Sequence, residues 1–294
     1  MSATDREHPY LHHLIGTEEW HAALEHGVIA ESADGFVHLS TIDQVSGTAA
    51  RYYGERDDLV LLAVPTDAIA PWLRWEESHP DQWFPHVYAS LPVEAVVGLV
   101  SFRPPFAVPS PMLSLGVSTR MRRADPDRDA AAVPALGDVA DGRRGSRPVA
   151  EVEPDRVDRY RALLAEPGGL SLVYEEDGEL LSAVVGVPER ASFGRGEVIP
   201  GSLHVSSVAT RPDAWGSGLA SLLLHHLHAE LRDAGFHHVE LWTHVDNDRA
   251  QHVYERQGYR LTDAPRAYDA TGSTIIQYER HLQSRAGPPA DRSR

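Results

Sequence analysis

Short apolar runs separated by turn residues fill the first third of the chain and predict strands mixed with helices. Strands are expected at residues 10–15, 36–39, 59–64 and 93–102. After the second of these runs, Thr41 followed by Gln44 has the spacing of a helix-capping box, which predicts a helix through residue 53. This order of elements is typical of a small α+β domain.

The remainder of the chain shows longer patterns. Leu219, Leu223, Leu227 and Leu231 recur every four residues, which places them on one face of a helix that Gly235 would end. An Asp-Gly pair between two apolar runs predicts a tight hairpin. Further strands are expected at residues 117–122, 170–174, 179–187, 203–210 and 238–245, and further helices at 126–136 and 154–165.

Prolines mark the boundary between the two parts. Residues 103–111 contain four prolines, which interrupt both strand ladders and helices. Residues 137–148 are rich in glycine and charge and predict a surface loop. The expected divisions are a first domain at residues 8–103, a proline-rich linker at 104–116, a second domain at 117–282 and a disordered tail at 283–294.

The amino-acid composition excludes several catalytic mechanisms. All 27 basic residues are arginine, the chain contains no cysteine, and its formal net charge is −16. The chain therefore has no lysine for a Schiff base and no thiolate nucleophile, and its acidic surface repels nucleic acids and anionic membranes. It also has no apolar run of about 18 residues and begins with a polar segment. We expect a cytoplasmic protein without nucleic-acid or membrane partners, and its oligomeric state stays open.

Residues 215–220, with the sequence Trp-Gly-Ser-Gly-Leu-Ala, form a glycine turn that opens a helix. Such a turn gathers main-chain N–H donors and the positive end of the helix dipole, which suits a diphosphate group. Small side chains let phosphate oxygens approach the main chain closely. A turn of this kind also serves simply to begin a helix, so its neighbours decide between the two interpretations.

Three segments at fixed spacing include that turn. They are residues 208–212 with the pattern V-x-x-x-P, residues 215–220, and residues 247–259 with the pattern N-x-x-A-x-x-x-Y-x-x-x-G-Y. Together they resemble the GNAT superfamily of N-acetyltransferases, and the resemblance extends over about residues 117–282. Trp215 departs from the pattern, which has Arg or Gln at this position.

The resemblance implies a GNAT-type mixed-sheet domain that moves an acetyl group from acetyl-CoA to a primary amine by direct attack. It implies that Tyr254 is the general acid that protonates the departing thiolate. A helix N-cap is the alternative role for Asn247, core packing the alternative for Tyr254, and packing under the loop the alternative for Trp215. The implied CoA-binding residues are Val208, Ala209, Thr210, Trp215, Gly216, Ser217, Gly218, Leu219, Ala220 and Asn247.

An acceptor amine must lose its proton before it attacks, so the site needs a base. His204 on the strand before the glycine turn and Glu240 on the next strand are the candidates, and a water chain is the alternative. The other histidines of this region, including His225 and His226, match no standard zinc spacing. We therefore expect solvated or partly packed imidazoles and no metal.

Residues 35–41, Gln44, 59–64 and 84–88 resemble an uncharacterised bacterial family, the domain-of-unknown-function family nine-five-two. That resemblance implies an ADP-ribosyltransferase-like α+β fold with a possible NAD cleft between two small sheets. The alternative is that His38 is a hydrogen-bonded core residue and Thr41 only caps a helix. The candidate pocket residues are His38, Ser40, Thr41, His86 and Tyr88.

Three functional hypotheses follow. The main one is transfer of an acetyl group to a small-molecule or peptidyl amine, with acceptor specificity set partly by the loop at residues 262–273. The second is an NAD-dependent ADP-ribosyl-type transferase in the first domain. The third is a non-catalytic protein that senses CoA or presents a substrate.

Overall fold

The structure, a computed structural model, describes residues 8–54, 56–79, 82–108, 121–143, 154–264, 267–268 and 272–282. These residues form two mixed α/β domains, so the predicted two-domain architecture is confirmed at this level. The ADP-ribosyltransferase-like fold of the first domain stays a prediction. Most of the predicted linker, the predicted start of the second domain and the tail lie outside the described residues. Within the described part, no helix is both long and apolar enough to cross a membrane.

Two three-stranded antiparallel sheets and a two-stranded ladder build the first domain. The strands are β1 (Tyr10–Gly16), β2 (Val28–Ile29), β3 (Val37–His38), β4 (Leu59–Pro65), β5 (Leu73–His79), β6 (Gln82–Val87), β7 (Leu91–Pro92) and β8 (Gly98–Phe102). The sheets have the orders β1-β4-β8 and β3-β6-β5, and β2 pairs with β7. Strand β4 is central in its sheet and almost wholly buried, as its continuous apolar run predicts.

The helices of the first domain are α1 (Thr17–His26), α2 (Ile42–Tyr52) and α3 (Thr66–Ile69). Helix α1 ends at Gly27, whose φ of 78° lies in the left-handed region that favours glycine. Helix α2 follows Thr41, whose N–H donates to Gln44 Oε1 at 2.9 Å. The predicted capping box is therefore confirmed.

Two strand predictions in this domain need correction. Residues 93–102 do not form one strand, because Val93–Ala95 is a 3₁₀ turn and the strand begins only at Gly98. The hairpin of β5 and β6 was not predicted. Its first strand carries Glu76 and Glu77 side by side, so the apolar and polar positions do not alternate.

A mixed sheet with the order β14-β16-β13-β12-β11-β10-β9 forms the second domain, and β15 pairs with β16. The strands are β9 (Met121–Arg123), β10 (Leu170–Glu176), β11 (Glu179–Arg190), β12 (Val198–Thr210), β13 (His238–His244), β14 (Arg260–Leu261), β15 (Ala267–Tyr268) and β16 (Thr274–His281). Asp177 and Gly178, with φ of 51° and 84°, make the predicted tight hairpin between β10 and β11. Among the described strand pairs, only β12 and β13 run parallel.

Helices cover both faces of this sheet. They are α4 (Pro126–Asp129), α5 (Ala132–Arg143), α6 (Pro154–Leu164), α7 (Ala191–Gly194), α8 (Leu219–Asp233) and α9 (Asp248–Arg256). The four leucines predicted to share one face of α8 are all buried, in one core cluster with Val184 and Val205 of the sheet. Val133 of α5 packs in a separate cluster with Val173 and Val185, which alternate onto the opposite face.

The surface loop predicted at residues 137–148 is wrong as far as residue 143, because helix α5 continues through it. Leu136 packs beneath the sheet, and Asp138 accepts a hydrogen bond of 2.6 Å from Arg156 of α6. These tertiary contacts hold Gly137 in a helix despite its low helix propensity. Residues 144–148 lie outside the described residues.

The two domains share one hydrophobic core. Trp20 and Leu24 of α1 belong to the same buried cluster as Leu222 and Leu223 of α8. At another point of the boundary, the hydroxyl of Tyr174 donates to the carbonyl of Leu99 and accepts from its N–H, both at 3.1 Å. The domains are therefore packed against each other rather than merely linked.

Two histidines of α8 hydrogen-bond across this boundary. His225 Nε2 donates to the carbonyl of Leu24, and His226 Nε2 donates to the carbonyl of Val96 at 2.9 Å. Burial lowers the pKa of both imidazoles, so both stay neutral near pH 7. The sequence predicts solvated or partly packed imidazoles; the structure shows partly packed ones whose partners lie in the other domain.

Acid should destabilise the fold through buried histidines. Burial lowers the pKa of His12 from 6.5 to about 4, so between these values the unfolded chain binds a proton that the folded state excludes. We expect the free energy of unfolding to fall as the pH drops through this window, by up to about 1.4 kcal/mol per pH unit from this residue. Urea denaturation at several pH values should show a flatter profile for His12→Leu. Parallel profiles for variant and wild type would contradict the assignment.

Candidate functional site

The parallel strands β12 and β13 separate at one end of the sheet. They pair from Ser202 with His238 to Val205 with Leu241. Beyond that point β12 continues through residues 208–210 along β11, whereas β13 continues along β16. The ladder between β11 and β12 also shifts register here, which bends the strand. Among the described strands, none pairs with the free edge of residues 208–210, so a gap opens beside their main chain.

The glycine turn follows β12 and leads into α8. Gly216 and Gly218 have φ of 85° and 90°, which explains why glycine occupies both positions. In the described part of the chain, the N–H groups of Gly216, Gly218, Ala220 and Ser221 have no hydrogen-bond partner. The turn therefore presents unpaired donors at the positive end of a fifteen-residue helix.

Helix α1 of the first domain covers the carbonyl side of the same turn. Trp20 Nε1 donates to the carbonyl of Ser217 at 3.3 Å, and His21 Nε2 donates to the carbonyl of Gly216 at 3.0 Å. Trp20 is fully buried in this position. The first domain thus binds carbonyls of the turn, and these contacts do not involve the unpaired N–H groups.

The packing at Gly218 is close. A Cβ atom at this position would lie 2.8 Å from Leu24 Cδ1 and 2.8 Å from Trp20 Nε1. Both distances are shorter than any normal contact, so a side chain here would force the side chains of Leu24 and Trp20 to move. Gly218 is therefore required twice, by its backbone conformation and by the neighbouring domain.

Trp215 is held in place by two contacts. Its Nε1 donates to the carbonyl of Thr210 at 2.7 Å, and the guanidinium carbon of Arg249 lies 3.8 Å from the centroid of its ring. The stacked arginine places a cation beside the turn, although the sequence has no arginine at position 215 itself. Sequence reasoning missed Arg249, because only the fold brings α9 to the turn.

Asn247 and Tyr254 lie on or next to α9. Asn247 Oδ1 accepts from the N–H of Ala250 at 3.4 Å, which is the N-cap role considered from the sequence. Tyr254 is 6% exposed and packs against Tyr259 and Tyr278, with ring centroids 5.9 and 6.2 Å away. The structure therefore places Tyr254 inside the main hydrophobic core cluster, which is the core-packing role considered from the sequence.

A buried network fixes the end of the helix that carries Tyr254. Arg280 donates to the carbonyl of Gln257, which follows α9, and to Nδ1 of His228 at 2.9 Å. His228 must then donate from Nε2 to the hydroxyl of Tyr259, at 2.8 Å. Burial holds the pKa of His228 well below its usual value, which keeps the imidazole neutral and able to accept from Arg280.

His204 and Glu240 face each other across the paired part of β12 and β13. His204 Nδ1 lies 2.5 Å from Glu240 Oε1, and Gln277 donates to Glu240 Oε2 at 2.9 Å. Burial alone would raise the pKa of Glu240, but the hydrogen bonds from His204 and Gln277 outweigh it and lower the pKa. The carboxylate therefore stays ionised and orients the imidazole, whose side chain is 30% exposed. Gln277 was not predicted, because nothing in its local sequence marks it.

The candidate pocket of the first domain is brought together only in part. His38 and His86 lie with ring centroids 5.2 Å apart, and Phe36 stacks on His86 at 4.1 Å. The carboxylate of Glu76 lies 2.7 Å from His86 Nδ1 and accepts from Tyr88 at 2.8 Å. These two hydrogen bonds, that of His86 first, lower the pKa of Glu76.

Ser40 and Thr41 are buried and lie in other surroundings. The hydroxyl of Ser40 lies 3.3 Å from that of Thr48 on α2, and Thr41 caps that helix. An NAD cleft in this domain stays a prediction. Among the described residues, no group of three or more histidine, aspartate or glutamate side chains could hold a metal ion.

Comparison with known families assigns the class of the second domain. Residues 139–259 match the family described as "Acetyltransferase (GNAT) family". This part of the chain is a GNAT acetyltransferase domain, and the predicted enzyme class, an N-acetyltransferase, is confirmed. Residues 14–99 match the family described as "Protein of unknown function (DUF952)". The chain is therefore a fusion of these two kinds of domain.

Solved structures cover one part of the chain or another. Protein CC0527 from Caulobacter crescentus is 33% identical, covers 36% of this chain and 98% of its own, and has a TM-score of 0.32. The ribosomal-protein-S18-alanine N-acetyltransferase from Escherichia coli is 19% identical, with coverages of 57% and 96% and a TM-score of 0.42. The Salmonella typhimurium protein yncA, solved with its cofactor acetyl-CoA, is 23% identical, with coverages of 58% and 97% and a TM-score of 0.44. No curated protein matched the sequence.

Gly218→Ala should destabilise the protein more than Gly216→Ala. Both substitutions place a side chain at positive φ, which costs on the order of 1–3 kcal/mol. Only the Cβ at 218 meets α1, whereas nothing lies within 4 Å of a Cβ at 216. We expect the Gly218 variant to lose about a further 1–3 kcal/mol of unfolding free energy in urea titrations. Equal losses in the two variants would show that α1 does not pack on the turn in solution.

Proposed function

We propose that the second domain transfers the acetyl group of acetyl-CoA to a primary amine of a small-molecule or peptidyl acceptor. The observation that carries this proposal is the set of unpaired N–H groups of the glycine turn, next to the gap between β12 and β13. A diphosphate would accept hydrogen bonds from those groups and gain from the positive end of α8. The acyl-CoA would then extend from the turn into the gap.

The free edge of residues 208–210 suits the pantetheine arm. An arm with amide groups would pair, as an additional strand does, with the main-chain groups that this edge leaves open beside the carbonyl of Thr210, which Trp215 already binds. The thioester carbonyl would lie further along the gap, where a main-chain N–H polarises its oxygen as negative charge develops. Arg249 beside Trp215 adds a cation near the diphosphate end.

His204 is the proposed general base. Because ionised Glu240 holds the Nδ1 side of the ring, Nε2 carries the lone pair that accepts the proton of the incoming ammonium group. The neutral amine then attacks the thioester carbon, the carbon–sulfur bond breaks, and Tyr254 gives its proton to the departing thiolate. The acetylated amine and free CoA are the products, and no covalent enzyme intermediate forms.

Binding of acetyl-CoA is tested with a matched pair of variants, Gly216→Asp and Gly216→Asn. Both side chains tolerate positive φ and both enter open space, so their backbone cost is the same. Only Asp adds a negative charge opposite the diphosphate. Calorimetry should give a dissociation constant for acetyl-CoA at least about ten-fold weaker for Asp than for Asn. Equal affinities, or no binding by the wild type, would remove the proposed site.

The role of His204 is tested after an amine panel, scored by release of free CoA, has identified an acceptor. His204→Gln should lower kcat by about 100-fold and move the acidic limb of the kcat/KM profile to the higher pH at which the acceptor amine itself loses its proton. Glu240→Gln should give a smaller loss, because the ring keeps a hydrogen-bond partner but loses its ionised one. A wild-type pH profile in His204→Gln would assign the proton to a water chain instead.

A further inference from the structure

The turn that is proposed to bind the diphosphate contains two glycines separated by one serine. A free chain of this composition visits many backbone conformations, and fixing each residue costs on the order of 1–2 kcal/mol. Its N–H groups present a defined set of donors only if something else holds the turn. Inside the second domain, the N–H and the hydroxyl of Ser217 both donate to the carbonyl of Ala214, at 3.3 and 2.7 Å.

Helix α1 adds restraint from the other domain, because it binds the two carbonyls of the turn. In a trans peptide the carbonyl and the following N–H point in opposite directions within one plane. Because Trp20 binds the carbonyl of Ser217, the N–H of Gly218 in the same peptide unit is directed away from α1. His21 binds the carbonyl of Gly216 and so fixes the preceding peptide unit, whose N–H belongs to Ser217 and donates to the carbonyl of Ala214.

The helix that provides these contacts is itself anchored to the second domain. The carbonyl of Leu24 accepts from Gln257 Nε2 at 3.3 Å and from His225. Glu25 pairs with Arg256 at the end of α9, with Oε1 and Nε 2.9 Å apart. Helix α1 therefore connects the turn at the start of α8 with the helix that carries Tyr254.

We propose that Trp20 and His21 are positioning residues of the acyl-CoA site, and that the first domain completes this site by orienting the turn toward the diphosphate. This inference rests on the proposed function. In this role the first domain supports the reaction of the second domain and does not itself catalyse a reaction. The ligand class is an organic diphosphate, and the parts of acyl-CoA beyond the diphosphate do not depend on these two residues.

Three variants separate positioning from general stability. Trp20→Phe removes the indole N–H and keeps an aromatic ring, His21→Ala removes the imidazole, and His21→Gln retains an N–H donor. Trp72→Phe is the control, because Trp72 is a 45% exposed tryptophan of the same domain. Each protein is titrated with acetyl-CoA and with S-acetylpantetheine, which carries the same thioester arm without a diphosphate.

We expect the dissociation constant for acetyl-CoA to rise about five-fold in Trp20→Phe and in His21→Ala, the effect of one lost hydrogen bond. His21→Gln and Trp72→Phe should stay near wild type, and the affinity for S-acetylpantetheine should be the same in all proteins. Unchanged acetyl-CoA affinity in both variants, or equal losses for the two ligands, would overturn the positioning role. Failure of the wild type to bind acetyl-CoA is a different result, which would overturn the proposed function as well.

Discussion

The packing of helix α1 against the start of helix α8 is the contact on which the rest of the structure depends. It joins the apolar side chains of two domains into one core and brings hydrogen-bond donors to the carbonyls of the glycine turn. Burial of apolar surface supplies the free energy of this association, and the hydrogen bonds fix its register. Because Gly218 has no Cβ, the side chains of Trp20 and Leu24 can pack directly against the turn.

The proposed chemistry of the second domain lies where its one described parallel strand pair ends. On the paired side, register sets His204 opposite Glu240 and lets the carboxylate orient the imidazole. On the unpaired side, the last residues of β12 keep a free edge. The same separation of two strands therefore yields both an imidazole whose tautomer is set by a carboxylate and a strand edge with main-chain groups open to a ligand.

Elements specified by local sequence could be predicted, and elements specified by distant contacts could not. The leucine face of α8, the capping box of α2 and the Asp-Gly hairpin depend on residues within a few positions of each other. The extension of α5 past Gly137 depends on the underlying sheet and on Arg156, so its local signal was misleading. The first strand of the β5-β6 hairpin carries no alternation of apolar and polar positions, which left the hairpin without a signal.

The residues of the candidate site also divide into those that local sequence predicts and those that only the fold brings together. The glycine turn, Asn247 and Tyr254 are visible in the sequence because they lie in one short region with regular spacing. His204 and Glu240 are visible separately, but their pairing follows from strand register. Arg249 against Trp215 and Gln277 on Glu240 come from elements that only the fold brings together.

The continuous core between the domains has an evolutionary consequence. If the coding region were split between the two parts, each product would present to water the apolar surface and the unpaired carbonyls and imidazoles that now meet at the boundary. Such products would tend to reassociate or aggregate. Selection on this protein therefore acts on both parts together, because a substitution on α1 that weakens packing also affects the transferase domain. A compensating substitution can lie more than 190 residues away in the chain, which is the separation of His21 and Gly216.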